Sequence, residues 1–366
     1  MSATTKLGFT PDYAIPPGST LEECMHALAM TQLELAERTG LSVQTLNRIF
    51  NGEQPITYET ANKLEYVTPY PASFWNNLEA QYRGLLAKQA EEKALSENIA
   101  WLKSVPVKEL VQRRVLPDTD DKIVLFRSAL RFYGVSEVSA WFSVWNEPAA
   151  AARRSSYFKS SPGPTSAWLR LGQIEAHKIE CAPYDRKKFV ESLAAIRALT
   201  TRDPGYFLPE MRRLCAEAGV ALALVPEFPK APWSGAAEWL SPTKAMILLC
   251  LRGKQEDRFW FTFFHEAGHI LHDGKKKSFL DNDGKDDYAD DPSEKKADEF
   301  AAETLIPRSH DPEIAAIRSK PEVLKHARQL AISPGIVVGR YHYLTHRWNY
   351  FNDLKRKFVW AKEAAS

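Results

Sequence analysis

From Pro17 to about residue 92, apolar positions recur at intervals of three and four and are cut by turn residues, the pattern of consecutive short helices. LEECMHALAM follows Pro17-Gly18-Ser19-Thr20, with Ser19 or Thr20 as the expected N-cap and Glu22 or Glu23 as its capping-box partner. QLELAERT stops at Gly40, VQTLNRIF starts at Ser42 and stops at Asn51-Gly52, and YETANKLEYV starts near Thr57. Pro69 to Pro71 break the chain before a long helix that runs from Ser73 into AEEKALSE. The stretch of about 93–204 keeps the helical spacing in KIVLFRSALRFYGV and AWLRLGQIEAHKI. From Tyr206 the pattern changes. A helix, PEMRRLCAEAG, leads into VALALV, GAAEWL and KAMILLCL, three short runs that predict a β-meander. A helix at about 257–273, an acidic loop, a helix at 293–305 and a helical tail complete the chain. The fold class expected is mainly α with one small α+β domain. Residues 1–92 form a five-helix bundle, 93–204 a helical linking region, and 205–366 the α+β domain.

Composition narrows the class. A chain of 366 residues, 44% hydrophobic and 26% charged, is that of a globular protein of two to three domains. Its four cysteines, Cys24, Cys181, Cys215 and Cys250, include no CxxC pair, so neither a disulfide framework nor a thiolate zinc ribbon is expected. The opening MSATTKLGFTPDYAIPPG has no apolar core of a secretory signal. The longest apolar run, Ala245 to Leu251, is far short of the roughly 20 residues that span a bilayer. A cytoplasmic location without a membrane partner is the expectation.

The chemistry concentrates at His265-Glu266-Ala267-Gly268-His269, an HExxH. Two imidazoles four residues apart on a helix project from one face and suit two positions of a tetrahedral zinc. Glu266 lies beside them, placed to take a proton from water activated at the metal and pass it to a leaving amine. Catalytic zinc requires a third protein ligand, and SEKKADEFAAETLIP offers Glu294, with Asp298 one turn on to fix a ligand histidine's tautomer. This Glu-x-x-Ala-Asp order after HExxH looks like the gluzincin pattern, its small alanines letting two helices approach. His272 shares the histidine face and is an alternative third ligand, although three histidines on one straight helix converge poorly. The acidic run Asp281, Asp283, Asp286, Asp287, Asp290 and Asp291 invites a calcium reading, but Gly284 does not fit an EF-hand loop. KAMILLCL is either an edge strand that pairs with an extended peptide substrate or an internal strand.

Gln32 to Gly52 has the helix–Gly–helix spacing of a helix-turn-helix, with Ala36 at the crossing and Gly40 in the turn. Its second helix presents Ser42, Val43, Gln44, Thr45 and Arg48, types that read base edges, thymine methyls and phosphates, and Gln32 is placed for a backbone phosphate. Between Thr20 and Leu85 four basic residues face eight acidic ones, a net −4. That is a poor footprint for double-stranded operator DNA, so a homodimer reading two half-sites is expected.

Two resemblances follow from these residues. Residues 16–85, from PPGSTLEE through ELAERTGLSVQTLNRIFNGEQPIT to FWNNLEAQYR, resemble the XRE-type helix-turn-helix of HigA-like antitoxins. Residues from about 150 to the end resemble the ImmA/IrrE metallopeptidase family in its long, helix-turn-helix-fused form. WLRLG, FWFTFFHEAGHILH, EKKADEFAAETLIP and SPGIVVGR carry that likeness. The resemblance implies a zinc-dependent endopeptidase with its site on His265, Glu266, His269 and Glu294, and a DNA-binding autorepressor typically encoded beside a toxin. Two functions are compatible with it. One is a regulator that cleaves a protein partner, a toxin or repressor, or itself. The other is an antitoxin that neutralises its toxin stoichiometrically, with the zinc domain as sensor or scaffold. The sequence departs from the family at Lys296, where an acid is expected, and at YHYLTH after Gly339-Arg340. Tyr341, His342 and His346 are therefore the candidates for an oxyanion-stabilising group.

Overall fold

The computed structural model describes residues 14–151, 162–274, 279–282 and 292–360. The chain forms two compact units, Met1–Ile99 and Ala100–Ser366.

The first unit is a bundle of α1 (Pro17–Ala27), α2 (Gln32–Thr39), α3 (Val43–Phe50), α4 (Tyr58–Val67) and α5 (Ala72–Asn98). Ser42 and Thr57 cap α3 and α4 as the sequence predicts, each accepting a hydrogen bond from the backbone N–H three residues on. The start of α1 differs from expectation. It begins at Pro17, ahead of Ser19 and Thr20, with no side-chain cap. Proline supplies helical φ at the first position and has no N–H to satisfy. The next residue must be glycine, because a Cβ at Gly18 would lie 2.0 Å from the Ile49 carbonyl oxygen. Leu21, Leu35, Leu46, Ile49, Leu64 and Trp75 form the core. Glu79, buried on α5, accepts from the Ile56 N–H and from Arg83, and Arg83 also donates to the Gly52 carbonyl. These bonds fix the loop that follows α3. The helix α5 continues through residue 92, the limit set for this unit from sequence, to Asn98.

The second unit continues with α6 (Val107–Gln112), α7 (Lys122–Tyr133), α8 (Val138–Ala151), α9 (Pro162–Lys178), α10 (Arg186–Ala198) and α11 (Pro204–Glu217). Then come β1 (Val220–Leu224), β2 (Trp233–Ser241), β3 (Lys244–Leu249), α12 (Glu256–His272), β4 (Phe279–Asn282) and α13 (Pro292–Leu305). The unit closes with α14 (Asp311–Ala315), α15 (Lys320–Leu330) and α16 (Pro334–Thr345). The sheet order is β1-β3-β2-β4, with β1 parallel to β3 and β2 antiparallel to both of its neighbours.

This corrects the predicted meander. Only β2 and β3 form a hairpin, turning at Pro242-Thr243. The segment 225–232, VPEFPKAP, is too rich in proline for a tight turn and leads past the position beside β1, which β3 fills. Strand β3 is consequently internal, with Ala245 to Leu249 buried, and the edge reading of KAMILLCL fails. Strand β4 occupies part of the stretch that the sequence predicts as an acidic loop. Asp281 lies in β4, while Asp283, Asp286, Asp287, Asp290 and Asp291 of the calcium reading fall outside the described residues.

Alternating side chains send the sheet's two faces to different helices. Leu248 packs where a Cβ on Gly172 of α9 would stand, whereas Ile247, Leu249 and Ala237 join the core built around Phe259, Trp260, Phe263 and Phe264 of α12. Because α12 is buried along most of its circumference, its polar residues are held in a fixed setting. A C-terminal segment secures its start. Arg356 donates to the fully buried Glu256 through both Nε and its backbone N–H, Ser333 donates to the same carboxylate, and Lys355 pairs with Asp257.

Candidate metal centre

The HExxH lies on α12 as predicted, and α13 crosses it closely enough to share a site. A Cβ on Gly268 would stand 3.1 Å from the Ala297 Cα, and Ala297 and Ala301 are buried in the contact. Small residues at the crossing bring Glu294, in the first turn of α13, onto the two histidines.

The three side chains converge. His265 Nε2 lies 3.2 Å from Glu294 Oε2, His269 Nε2 lies 3.5 Å from Glu294 Oε1, and the two Nε2 atoms are 3.0 Å apart. Two nitrogens about 2.05 Å from one tetrahedral zinc would be roughly 3.3 Å apart, so the spacing suits a single ion. The opposite ring nitrogens support the same reading. His265 Nδ1 donates to Asp298 Oδ1 and His269 Nδ1 to Asp273 Oδ2, each at 2.8 Å. With Nδ1 protonated, both Nε2 lone pairs face the same point, and a cation between them and the carboxylate relieves their repulsion. Burial works against the charge of Glu294, yet its close contacts with His265 and His269 outweigh it and hold the carboxyl at about 2. The donor set, two imidazoles and an anionic carboxylate, fits zinc.

Glu266 is fully buried, and its side chain lies against β2. A Cβ on Gly235 would stand 2.6 Å from Glu266 Oε1 and 2.5 Å from the Thr262 methyl. Only glycine leaves the carboxylate this position beside the histidines. Asp298 takes the place expected for it, on His265. Asp273, the partner of His269, was missed. It is the residue four after the second histidine and just past the end of α12, and Ser293 Oγ donates to it at 2.6 Å. A carboxylate one turn beyond a ligand histidine is a signal the sequence did contain.

The remaining candidates sit elsewhere. The ring of His272 packs edge-on against Phe300 and is not one of the converging group. Tyr341 is buried in the aliphatic and aromatic core with its ring against Phe351. His342 donates from Nε2 to the Tyr350 carbonyl and receives Lys355 at Nδ1, so both ring nitrogens are engaged. Lys355 also holds Asp257, about two turns of α12 ahead of His265. His346 closes α16 in a left-handed conformation on the protein surface. None of the three belongs to the converging group, because packing, a backbone carbonyl and a helix end already employ them.

On α3, Val43, Gln44 and Arg48 are exposed and Thr45 is partly so. Ser42 caps the helix and also contacts the Thr45 hydroxyl at 2.9 Å. Gln32 opens α2 beside this face. Its amide donates to Asn47 Oδ1 at 2.7 Å, so it braces α3 from α2. Asn47 is an exposed residue of the same face that sequence reasoning did not single out. Arg38, Lys63 and Arg83 each pair with a glutamate one turn before them on the same helix. Among the described residues of this unit between Thr20 and Leu85, Arg48 is the basic side chain left outside such pairs.

Two comparisons bear on these sites. Residues 21–75 match a helix-turn-helix family, and residues 225–337 match the IrrE N-terminal-like domain, a metallopeptidase family. The first match contains α2 and α3, and the second contains His265, Glu266, His269 and Glu294. Among curated proteins, none matches the chain. No helix of the described residues is long and apolar enough to cross a membrane.

Proposed function

We propose that this chain, an XRE-type helix-turn-helix joined to an ImmA/IrrE-type metallopeptidase domain, is a DNA-binding regulator that cleaves a protein partner or itself. One observation carries the enzymatic half. Two histidine Nε2 atoms and the Glu294 carboxylate converge while Asp298 and Asp273 hold the far nitrogens. His265, His269 and Glu294 would hold the zinc, which when bound lowers the pKa of water and polarises the scissile carbonyl. Glu266, fixed against Gly235, accepts the proton of the attacking water and returns it to the departing amine. Asp298 and Asp273 keep the histidine rings in the tautomer that leaves Nε2 free to coordinate.

The helix-turn-helix would place Gln44, Thr45, Val43 and Arg48 in the major groove, with Ser42 near the backbone. The few cations on this unit argue for a homodimer on two half-sites. The alternative, a stoichiometric antitoxin with a silent zinc domain, has no use for a carboxylate base enclosed beside the metal ligands. Co-expression of the chain with the products of neighbouring genes tests the proposal. A partner shortened by the native chain and left whole by Glu266→Gln supports cleavage. Equal processing by both chains contradicts it.

A further inference from the structure

The exposed face of α3 carries a polar contact with a defined direction. Gln32, the first residue of α2, reaches across to α3 and donates from Nε2 to two acceptors there. One is Asn47 Oδ1 at 2.7 Å, and the other is the Val43 carbonyl oxygen at 3.4 Å. The carbonyl decides which way both amides face. A backbone oxygen only accepts, so the Gln32 atom turned toward it is the nitrogen. That nitrogen needs an acceptor on Asn47 as well, which turns Oδ1 toward α2 and Nδ2 away from it. Asn47 is exposed, one turn after Val43 on the same side of α3, and its Nδ2 makes no hydrogen bond among the described residues.

We infer that Asn47 reads a base edge in the major groove as a donor and so selects guanine, with Gln32 as the positioning residue that sets its direction. The inference rests on the DNA-binding reading above. An asparagine that uses both ends of its amide pairs with adenine, accepting from N6 and donating to N7. Here Oδ1 is already engaged from the side of α2, and the two N–H bonds of Nδ2 remain. Guanine offers them two adjacent acceptors, N7 and O6, whereas adenine would set its N6 donor against Nδ2. The scarcity of cations gives this contact weight. Phosphate contacts hold a protein on DNA without regard to sequence, and Arg38, Lys63 and Arg83 are paired within their own helices. Discrimination among sites then falls largely to the neutral side chains of α3, with Asn47 beside Gln44 and Thr45.

The test reads base preference rather than affinity. Full-length native, Asn47→Ala and Gln32→Glu chains each select from a pool of randomised double-stranded DNA at low salt, and the bound fractions are sequenced. In the native selection one position of each half-site should favour guanine over adenine by about fivefold, the lower end for one side chain reading one base. Asn47→Ala should lose that preference and keep the rest of the motif. Gln32→Glu separates direction from bracing. A carboxylate there accepts from Asn47 Nδ2 and turns Oδ1 outward, so the same position should move to cytosine or adenine, whose exocyclic amines donate. Neither residue belongs to the core of this unit, so both variants are expected to fold. A native motif left unchanged by Asn47→Ala overturns the assignment, as does adenine preferred natively at the position that depends on Asn47. Guanine kept by Gln32→Glu, or the whole motif lost with it, would leave Gln32 a mere brace and overturns its directing role. The DNA-binding reading is judged separately. A motif indifferent to Asn47 leaves that reading standing, whereas no sequence enriched by the native chain refutes it and the assignment together.

Discussion

At the scale of single residues, the centre depends on groups that would never touch the metal. Asp273 and Asp298 each accept a proton-bearing Nδ1 and so aim an Nε2 at the shared point. Asp273 is only 13% exposed and is tied to Ser293, whereas Asp298 is 58% exposed. Asp273→Ala is therefore expected to cost more. Loss of an outer hydrogen-bond partner of this kind weakens metal binding about 10- to 100-fold. Competition with a chromogenic chelator should place Asp273→Ala near the upper end and Asp298→Ala near the lower. The reverse order would mean that solvent exposure does not govern these partners. The coordinating residues were legible because the chemistry fixes both their type and their helical spacing. Glu294 follows from the next helix with small residues at its crossing. Asp273 lies outside the HExxH, past the end of its helix, and the surroundings of Tyr341, His342 and His346 are not encoded in their local sequence. Burial against Phe351 and a bond to the Tyr350 carbonyl are tertiary facts that no local pattern displays.

Secondary-structure elements divide along the same line. Helix positions came through well because capping residues and periodicity are local: Ser42, Thr57 and the start of α12 all fall at or within a residue of the expected place. Strand pairing is non-local. VALALV, GAAEWL and KAMILLCL were recognised as strands, but their order was not, and the parallel pairing of β1 with β3 depends on where 225–232 leads. Strand β4 is only four residues long and lies next to an acidic stretch, so it carried no periodic signal. Glu79 provides a test at this scale. It is the buried acceptor that joins α5 to the loop after α3, through the Ile56 N–H and Arg83. Glu79→Ala leaves that N–H unsatisfied and should lower the stability of the first unit by about 2 kcal/mol. Arg83 is 39% exposed, so its ion pair adds little to this figure. Hydrogen exchange of the α3 and α5 backbone amides as urea rises checks it, and a change below about 0.5 kcal/mol would show that the carboxylate is not a structural tie.

The molecule as a whole joins two units whose sequence signatures have unequal strength. The metal centre announces itself in a few residues, while the helix-turn-helix is recognised by spacing and cap residues spread over α2 and α3. Electrostatics sharpens the DNA prediction. Because Arg38, Lys63 and Arg83 are engaged in pairs within their own helices, Arg48 carries much of the attraction to phosphate or guanine. Arg48→Ala should weaken retention on double-stranded DNA by about tenfold, the effect of losing one charge-assisted contact. Native retention should fall steeply as salt rises. Indifference to salt in the native chain would remove the case for operator binding.

The central claim is that His265, His269 and Glu294 form one zinc site. Its most direct test is the metal content of the purified full-length chain beside His265→Ala and Glu294→Ala, with circular dichroism confirming that each variant is folded. About one zinc per chain is expected, lost in His265→Ala and reduced in Glu294→Ala. A folded native chain without zinc, or zinc retained in full by both variants, would contradict the account.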